Sequence, residues 1–281
     1  MIPFLSEDFL LTGQTARVLY HDFAERMPIF DFHSHLPLED IASNRRFQNL
    51  TQIRLQGYHY KWRAMRASGV DEKFIAGDAS DEEKFHAWAQ TVPKTLGNPL
   101  FLWTHLEPKR YFGVSGKLLC RESAMGKHES CSYMLRTGPF RAQDLLERMN
   151  VKVLFTTQDP LQELSSHLLL QENESFPVKV LPCFRPDRAM EVDDTERFLP
   201  WLEKLQDRSQ VEITDHSSRL KALDQRHRAF RLAGCRASDQ GLDRVYCKPF
   251  DQRDADAALK KALRLERPIE RETTAYRTAG L

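Results

Sequence analysis

The sequence predicts an α/β fold in which a helical subdomain interrupts a parallel sheet or barrel after its first strand. Three observations carry that prediction. Four short apolar segments read as strands, helical patterns fill the gaps between them, and each segment ends in polar residues on its carboxyl side. Strand alternating with helix is the signature of a parallel sheet, and in such folds the ligand site lies beyond the carboxyl ends of the strands.

The first strand is expected at residues 28–33, with His33-Ser34-His35 at its end. Residues 151–157 (VKVLFTT) form the second, followed by Gln158-Asp159-Pro160. Residues 178–184 (VKVLPCF) form the third, followed by Arg185-Pro186-Asp187. Residues 234–238 (GCRAS) form the fourth, followed by Asp239-Gln240. Brief runs rich in apolar and β-branched residues are characteristic of buried strands. Helices are expected over 12–26, 142–149, 195–206 and 217–233. The stretch between the first and second strands is far longer than the ~2–6 residues of an ordinary connection. The expected organisation is therefore a first strand and its preceding helix over 1–37 and a helical insertion over 38–145. Further βα units follow over 146–250, with a charged, partly helical tail over 251–281.

Composition narrows the function classes. The chain has 281 residues, 41% of them hydrophobic, and 41 Lys plus Arg against 40 Asp plus Glu, for a net charge of +1. A binder of nucleic acid would carry a basic excess, so none is expected as a partner. One local arginine would still serve a small anionic substrate. The five cysteines have no CxxC spacing and read as free thiols. The first residues lack a basic segment followed by an apolar run, and no apolar stretch reaches membrane-spanning length. The expectation is a cytoplasmic protein without a membrane partner.

Three groups of residues could carry chemistry. His33 and His35 are two apart on a strand and share a face, so both imidazoles could chelate one divalent ion. Two ordinary polar residues at a strand end explain the same spacing. Residues 57–66 (GYHYKWRAMR) place His59 and Tyr60 among three cations. A phenol beside cations can be acidified and can shuttle a proton; an amphipathic surface helix accounts for the pattern more simply. Arg185, at the end of the third strand, could clamp a carboxylate or pair with Asp187. Asp159 and Asp239 also lie at strand ends, where capping the next helix is the plain expectation.

Taken together, PIFDFHSHLP, RFQNL, GYHYKWRAMRASGV, KFHAWAQTVPKTLGNPL, VLFTTQDP, VLPCFRPD and GCRASDQGLD resemble uronate isomerase (glucuronate isomerase) of the amidohydrolase superfamily. The matches run in order from the start of the chain to about residue 245. The resemblance implies an incomplete TIM-type (β/α) barrel and an intramolecular oxidoreductase. It would convert D-glucuronate to D-fructuronate, and D-galacturonate to D-tagaturonate, in hexuronate breakdown. It implies His33 and His35 as metal ligands, Tyr60 as the proton-moving group, and His59 and Arg185 as holders of the hexuronate. The cofactor would be a divalent metal, Zn or Mn foremost, with no organic cofactor. Family members continue past the position of Leu281, so a further aspartate ligand and the remaining strands are expected elsewhere. The chain is then expected to be weak or inactive alone, with a homo-oligomer or a missing C-terminal half as its partner. Gln240 stands where the family pattern has a histidine, and an amide cannot replace an imidazole as acid or base. A metal-dependent hydrolase of the same superfamily and a non-catalytic fragment are the competing readings.

Overall fold

A computed structural model describes residues 4–280. The chain divides into two compact units, residues 1–29 with 43–151, and residues 30–42 with 152–281.

The second unit is built on a parallel sheet of order β1-β2-β3-β4, the α/β half-barrel expected from the strand pattern. The strands are β1 (Ile29–Ser34), β2 (Val151–Gln158), β3 (Lys179–Phe184) and β4 (Ala237–Ser238). β2 and β3 match expectation within a residue or so. β1 runs parallel to β2: its start bonds to Asn150, as Ile29 N–H donates to Asn150 O over 2.9 Å, and its end meets Thr157. β1 departs from expectation in one respect. It has a single neighbour among the described strands, and Phe30 and Phe32 are 65% and 79% exposed rather than buried.

β4 is also shorter than the five residues expected, and Pro182 supplies the reason. Phe184 O accepts from Asp239 N, so even-numbered residues of β3 bond toward β4. Pro182 shares that parity and has no N–H to give. The ladder therefore holds only opposite Cys183 and Phe184. Residues 234 and 235 instead finish the preceding helix, their N–H groups donating to Arg231 O and Phe230 O.

Helices Ser165–Glu172, Thr195–Ser209 and His216–Leu232 pack around this sheet and on one another. The segment expected as a charged, partly helical tail forms two further helices, Gln252–Leu263 and Glu270–Ala279. They belong to the core: Ala255, Ala258, Leu259, Ala262 and Tyr276 are fully buried with Phe198, Trp201 and Leu205. Small alanines at i, i+3 and i+7 let the two helices approach closely while their charged faces remain outside.

Among its described residues the first unit is built mainly of helices. Helices Leu50–Arg54, His59–Ala67, Asp81–Thr91, Pro99–Phe112, Ala124–Thr137 and Ala142–Arg148 enclose a core of Phe85, Trp88, Met65 and Leu135, each 1% exposed or less. Their ends are set by local chemistry. Ser80 and Glu83 cap each other reciprocally before Asp81. Asn98 accepts from Leu100 N ahead of Pro99, and Gly113 at φ +65° closes that helix in the left-handed region. The N-terminal helix expected over 12–26 spans Gln14–Val18 and continues as wider five-residue turns over Leu19–Ala24.

Candidate active site

The second unit brings together a residue from the carboxyl end of each strand. His33 comes from β1 and His35 from just past it, Thr157 from β2, Arg185 from just past β3 and Asp239 from just past β4. Alternation along β1 puts the two imidazoles on one face, with ring centroids 4.7 Å apart.

The hydrogen bonds set the tautomers of both rings. His33 Nδ1 donates to the Asp239 carboxylate. His35 Nδ1 lies 3.1 Å from Thr157 Oγ1, whose own proton points to Ser34 O at 3.3 Å. The hydroxyl therefore accepts from His35 Nδ1–H. The two Nε2 atoms face each other across 3.0 Å, close enough for one proton or one metal ion to be shared between them.

That geometry is the test of fit for a divalent ion. Two imidazole nitrogens about 2.1 Å from one ion stand roughly 3.0 Å apart at a right angle and roughly 3.4 Å apart at the tetrahedral angle. The observed 3.0 Å falls at the edge of that range. A carboxylate on the far nitrogen of a ligating histidine is the usual outer partner, fixing the ring and raising its basicity. The pair accounts for two ligands. Among the described residues no group of three His, Cys, Asp or Glu side chains is arranged to hold a metal ion.

Arg185 is held from two sides. Its Nε donates to Asp187 Oδ2 over 2.7 Å and stands 3.8 Å from Asp239 Oδ1. Asp239 Oδ1 is buried and has no hydrogen-bond partner among the described residues. Burial of the guanidinium opposes its charge, yet the Asp187 and Asp239 carboxylates outweigh it and keep the pKa of Arg185 above its ordinary value. Of the two sequence readings of Arg185, the pairing with Asp187 is the one seen, and it engages Nε.

Asp239 was expected to cap a helix. No helix follows it until Gln252, and its carboxylate is spent on His33 and Arg185. Asp159 is likewise no cap: it accepts from Leu161 N and from Trp201 Nε1 at 3.0 Å, which ties the turn after β2 to the core. Position after a strand was the available signal for Asp239, and position does not say whether a carboxylate turns back to the backbone or across to another strand.

Gly241 adds a steric condition. Its N–H donates to Asp187 Oδ1 over 2.8 Å, and a Cβ there would sit 2.5 Å from Arg185 Nη2 and 2.9 Å from Asp187 Oδ2. Gly241→Ala is expected to push the guanidinium out of its pair. The cost to stability is about 1 kcal/mol, at the low end of overpacking, because a flexible side-chain end can yield. The NMR resonance of Arg185 Nε–H should move while the denaturation midpoint scarcely does. An unmoved resonance would show that the glycine is not needed.

His59 and Tyr60 lie in the first unit, at the start of the helix His59–Ala67. Their rings are 4.3 Å apart, Tyr60 is 52% exposed, and Arg63 sits 5.8 Å from the Tyr60 ring. The same helix turns Lys61 inward. Its ammonium donates to Arg54 O and lies over the rings of Tyr58 and Trp88, and burial, with Arg54 nearby, pushes its pKa down to about 7. The helix His59–Ala67 is thus amphipathic, with one buried cation and an exposed His-Tyr pair.

A family model described as glucuronate isomerase matches residues 1–281. Among curated relatives, the uronate isomerase of Caldanaerobacter subterraneus subsp. tengcongensis is 43% identical over 99% of this chain and 59% of its own length. That of Pectobacterium atrosepticum is 46% identical over 100% and 60%. The chain thus spans about three-fifths of the length of these relatives. Among solved structures, uronate isomerase from Thermotoga maritima superposes with a TM-score of 0.93 at 34% identity, covering 99% of this chain and 60% of that one. Glucuronate isomerase from Caulobacter crescentus superposes with a TM-score of 0.83 at 24% identity, over 90% and 54%, and shows the shared fold.

Proposed function

The chain belongs to the glucuronate isomerase family, and from that premise we propose that it supplies the metal-binding and carboxylate-binding part of a uronate isomerase. The reaction is the interconversion of D-glucuronate with D-fructuronate and of D-galacturonate with D-tagaturonate. The single observation that carries the reading is the pair of Nε2 atoms facing each other at 3.0 Å, with His33 anchored by a carboxylate at the ends of parallel strands.

Aldose–ketose isomerisation takes a proton from C2, protonates the oxygen on C1, and returns a proton to C1 as the C2 hydroxyl loses its own. It needs a base, an acid and stabilisation of the negative charge on the enediol oxygens. A divalent ion held by His33 and His35, Zn or Mn foremost, supplies that electrophilic stabilisation when bound. Asp239 and Thr157 keep both imidazoles in the ligating tautomer. Arg185, steadied by Asp187, offers its terminal nitrogens to the hexuronate carboxylate, a charge-assisted bond that fixes the sugar's orientation. In this reading Tyr60 moves the proton and His59 hydrogen-bonds the substrate, as the sequence resemblance implies. The exposure of Tyr60 is consistent with a group that meets solvent or ligand. The partner needed for turnover is the remaining two-fifths of the family's length, bearing the third metal ligand. Among the described residues no helix is long and apolar enough to cross a membrane.

The test is an isomerase assay with D-glucuronate, a divalent metal and a ketose readout. The chain is run alone and with the C-terminal two-fifths of a relative supplied in trans. Turnover is expected only in the mixture, and lost with Arg185→Met. Ester or amide hydrolysis without ketose formation would favour the hydrolase reading instead.

A further inference from the structure

The first unit contains a cavity of about 280 Å³ that shares no residue with the site around His33. Its lining has two characters. Leu50, Phe85, Pro108, Val114 and Leu119 make an apolar wall. Arg54, Lys109, Lys117 and Lys127 also line it, and no carboxylate does.

The cations differ in how far they are already used. Lys109 is committed to Leu5 O and Glu7. Arg54, 7% exposed, gives Nη1 to Thr104 O and pairs through Nη2 with Glu107, but its Nε is buried without a partner. The Thr104 hydroxyl, 1% exposed, is also unpartnered. Lys127 and Lys117 have no ion pair among the described residues. Arg54, Lys127 and the Cys131 thiol line the same cavity. Burial in turn lowers the pKa of Lys127. A buried donor without a partner is destabilising, and of the four cations only Arg54 and Lys109 have a carboxylate partner among the described residues.

The geometry points to a binding site for a small organic monoanion, a carboxylate on an aromatic or branched aliphatic body. The carboxylate accepts from Thr104, Arg54 Nε and Lys127, and the body rests on Leu50, Phe85 and Leu119. The volume lies at the low end of the ~300–1,000 Å³ common for ligand pockets, which limits the ligand to about one ring. A hexuronate is the wrong shape of polarity for it, because its hydroxyls would face the apolar wall unpaired. The site is therefore separate in chemistry from the proposed isomerase site, and its test does not depend on turnover.

The experiment is titration calorimetry and thermal unfolding of the whole chain with benzoate as the probe. Benzoate is expected to bind with Kd on the order of 1 mM and to raise the unfolding temperature as mass action requires. Lys127→Met should weaken binding about tenfold, the loss of roughly one charge-assisted contact. Thr104→Val should also weaken it while raising the unfolding temperature of the free chain, since an unsatisfied hydroxyl is removed. Lys152→Met, at an exposed position on β2, should leave binding unchanged. The proposal is overturned by no benzoate binding, by binding that survives Lys127→Met and Thr104→Val, by inorganic phosphate binding as tightly as benzoate, or by competition from D-glucuronate.

Discussion

His33→Ala and His35→Ala should each lower the affinity of the chain for Zn²⁺ or Mn²⁺ by about 100-fold or more, as competition with a chromophoric chelator would measure. The magnitude follows from the ligand count. Outer partners of a ligating histidine are typically worth ~10–100-fold in metal affinity, so removal of a ligand itself should reach at least the top of that range. Asp239→Asn is the sharper diagnostic. It keeps the size and one acceptor of the side chain but removes the charge that holds Nδ1–H of His33. A loss of about 10–100-fold is expected there. Thr157→Val should cost less, because a neutral hydroxyl holds His35. His86→Ala, in the first unit, should cost nothing. If the His33→Ala, His35→Ala double variant binds as tightly as the unaltered chain, the facing imidazoles are not the site.

The same pair shows what could be read without a structure. Two histidines two residues apart at the end of an apolar run imply a shared face, because strand alternation is local. Arg185 could be placed at a strand end for the same reason. Asp239 could be seen but not interpreted, since its partners His33 and Arg185 are 206 and 54 residues away and only the sheet order brings them together. Pro182 was equally visible, yet its effect on β4 depends on which neighbour the even residues of β3 face. The last two helices were expected in part as helix, but their burial was not legible, for a different reason. DADAALKKAL is rich in charge, and its buried stripe is made of alanine, which carries little hydrophobic signal until a partner helix with Tyr276 packs on it. Lys61 shows the converse: a lysine counted among surface cations is 3% exposed because a backbone carbonyl and two aromatic rings receive it.

The unaltered chain should lose stability steeply as the pH falls from 6.5 toward 4, because of two histidines buried as neutral rings. His167 and His216 are both fully buried. Burial pushes the pKa of each down to about 4; for His216 the nearby Arg219 adds to the push while Asp256 and Asp215 oppose it. The unfolded chain titrates these groups near 6.5, so between 6.5 and 4 it binds protons that the folded chain refuses. Stability contributed by the neutral rings is thus present above 6.5 and lost as pH falls to the folded pKa. A depression of this size corresponds to on the order of 3 kcal/mol per residue when fully expressed. Packing supports the sign in each case. His167 Nε2 is 2.8 Å from the Thr156 hydroxyl, and its Nδ1 is buried with no acceptor to receive a second strong donor. His216 Nε2 accepts from Arg219 Nη2 at 2.9 Å, so a protonated ring would set two cations against each other inside the core. Arg219 cannot withdraw, since it is held by Ala189 O and stacks 4.3 Å over Tyr276. His216→Gln and His167→Leu should each flatten the dependence of unfolding free energy on pH across this window by about 3 kcal/mol, whatever they do to stability at pH 7. Urea titrations at half-unit pH steps measure it. Unchanged steepness in both variants would show that the acid sensitivity belongs to the carboxylates.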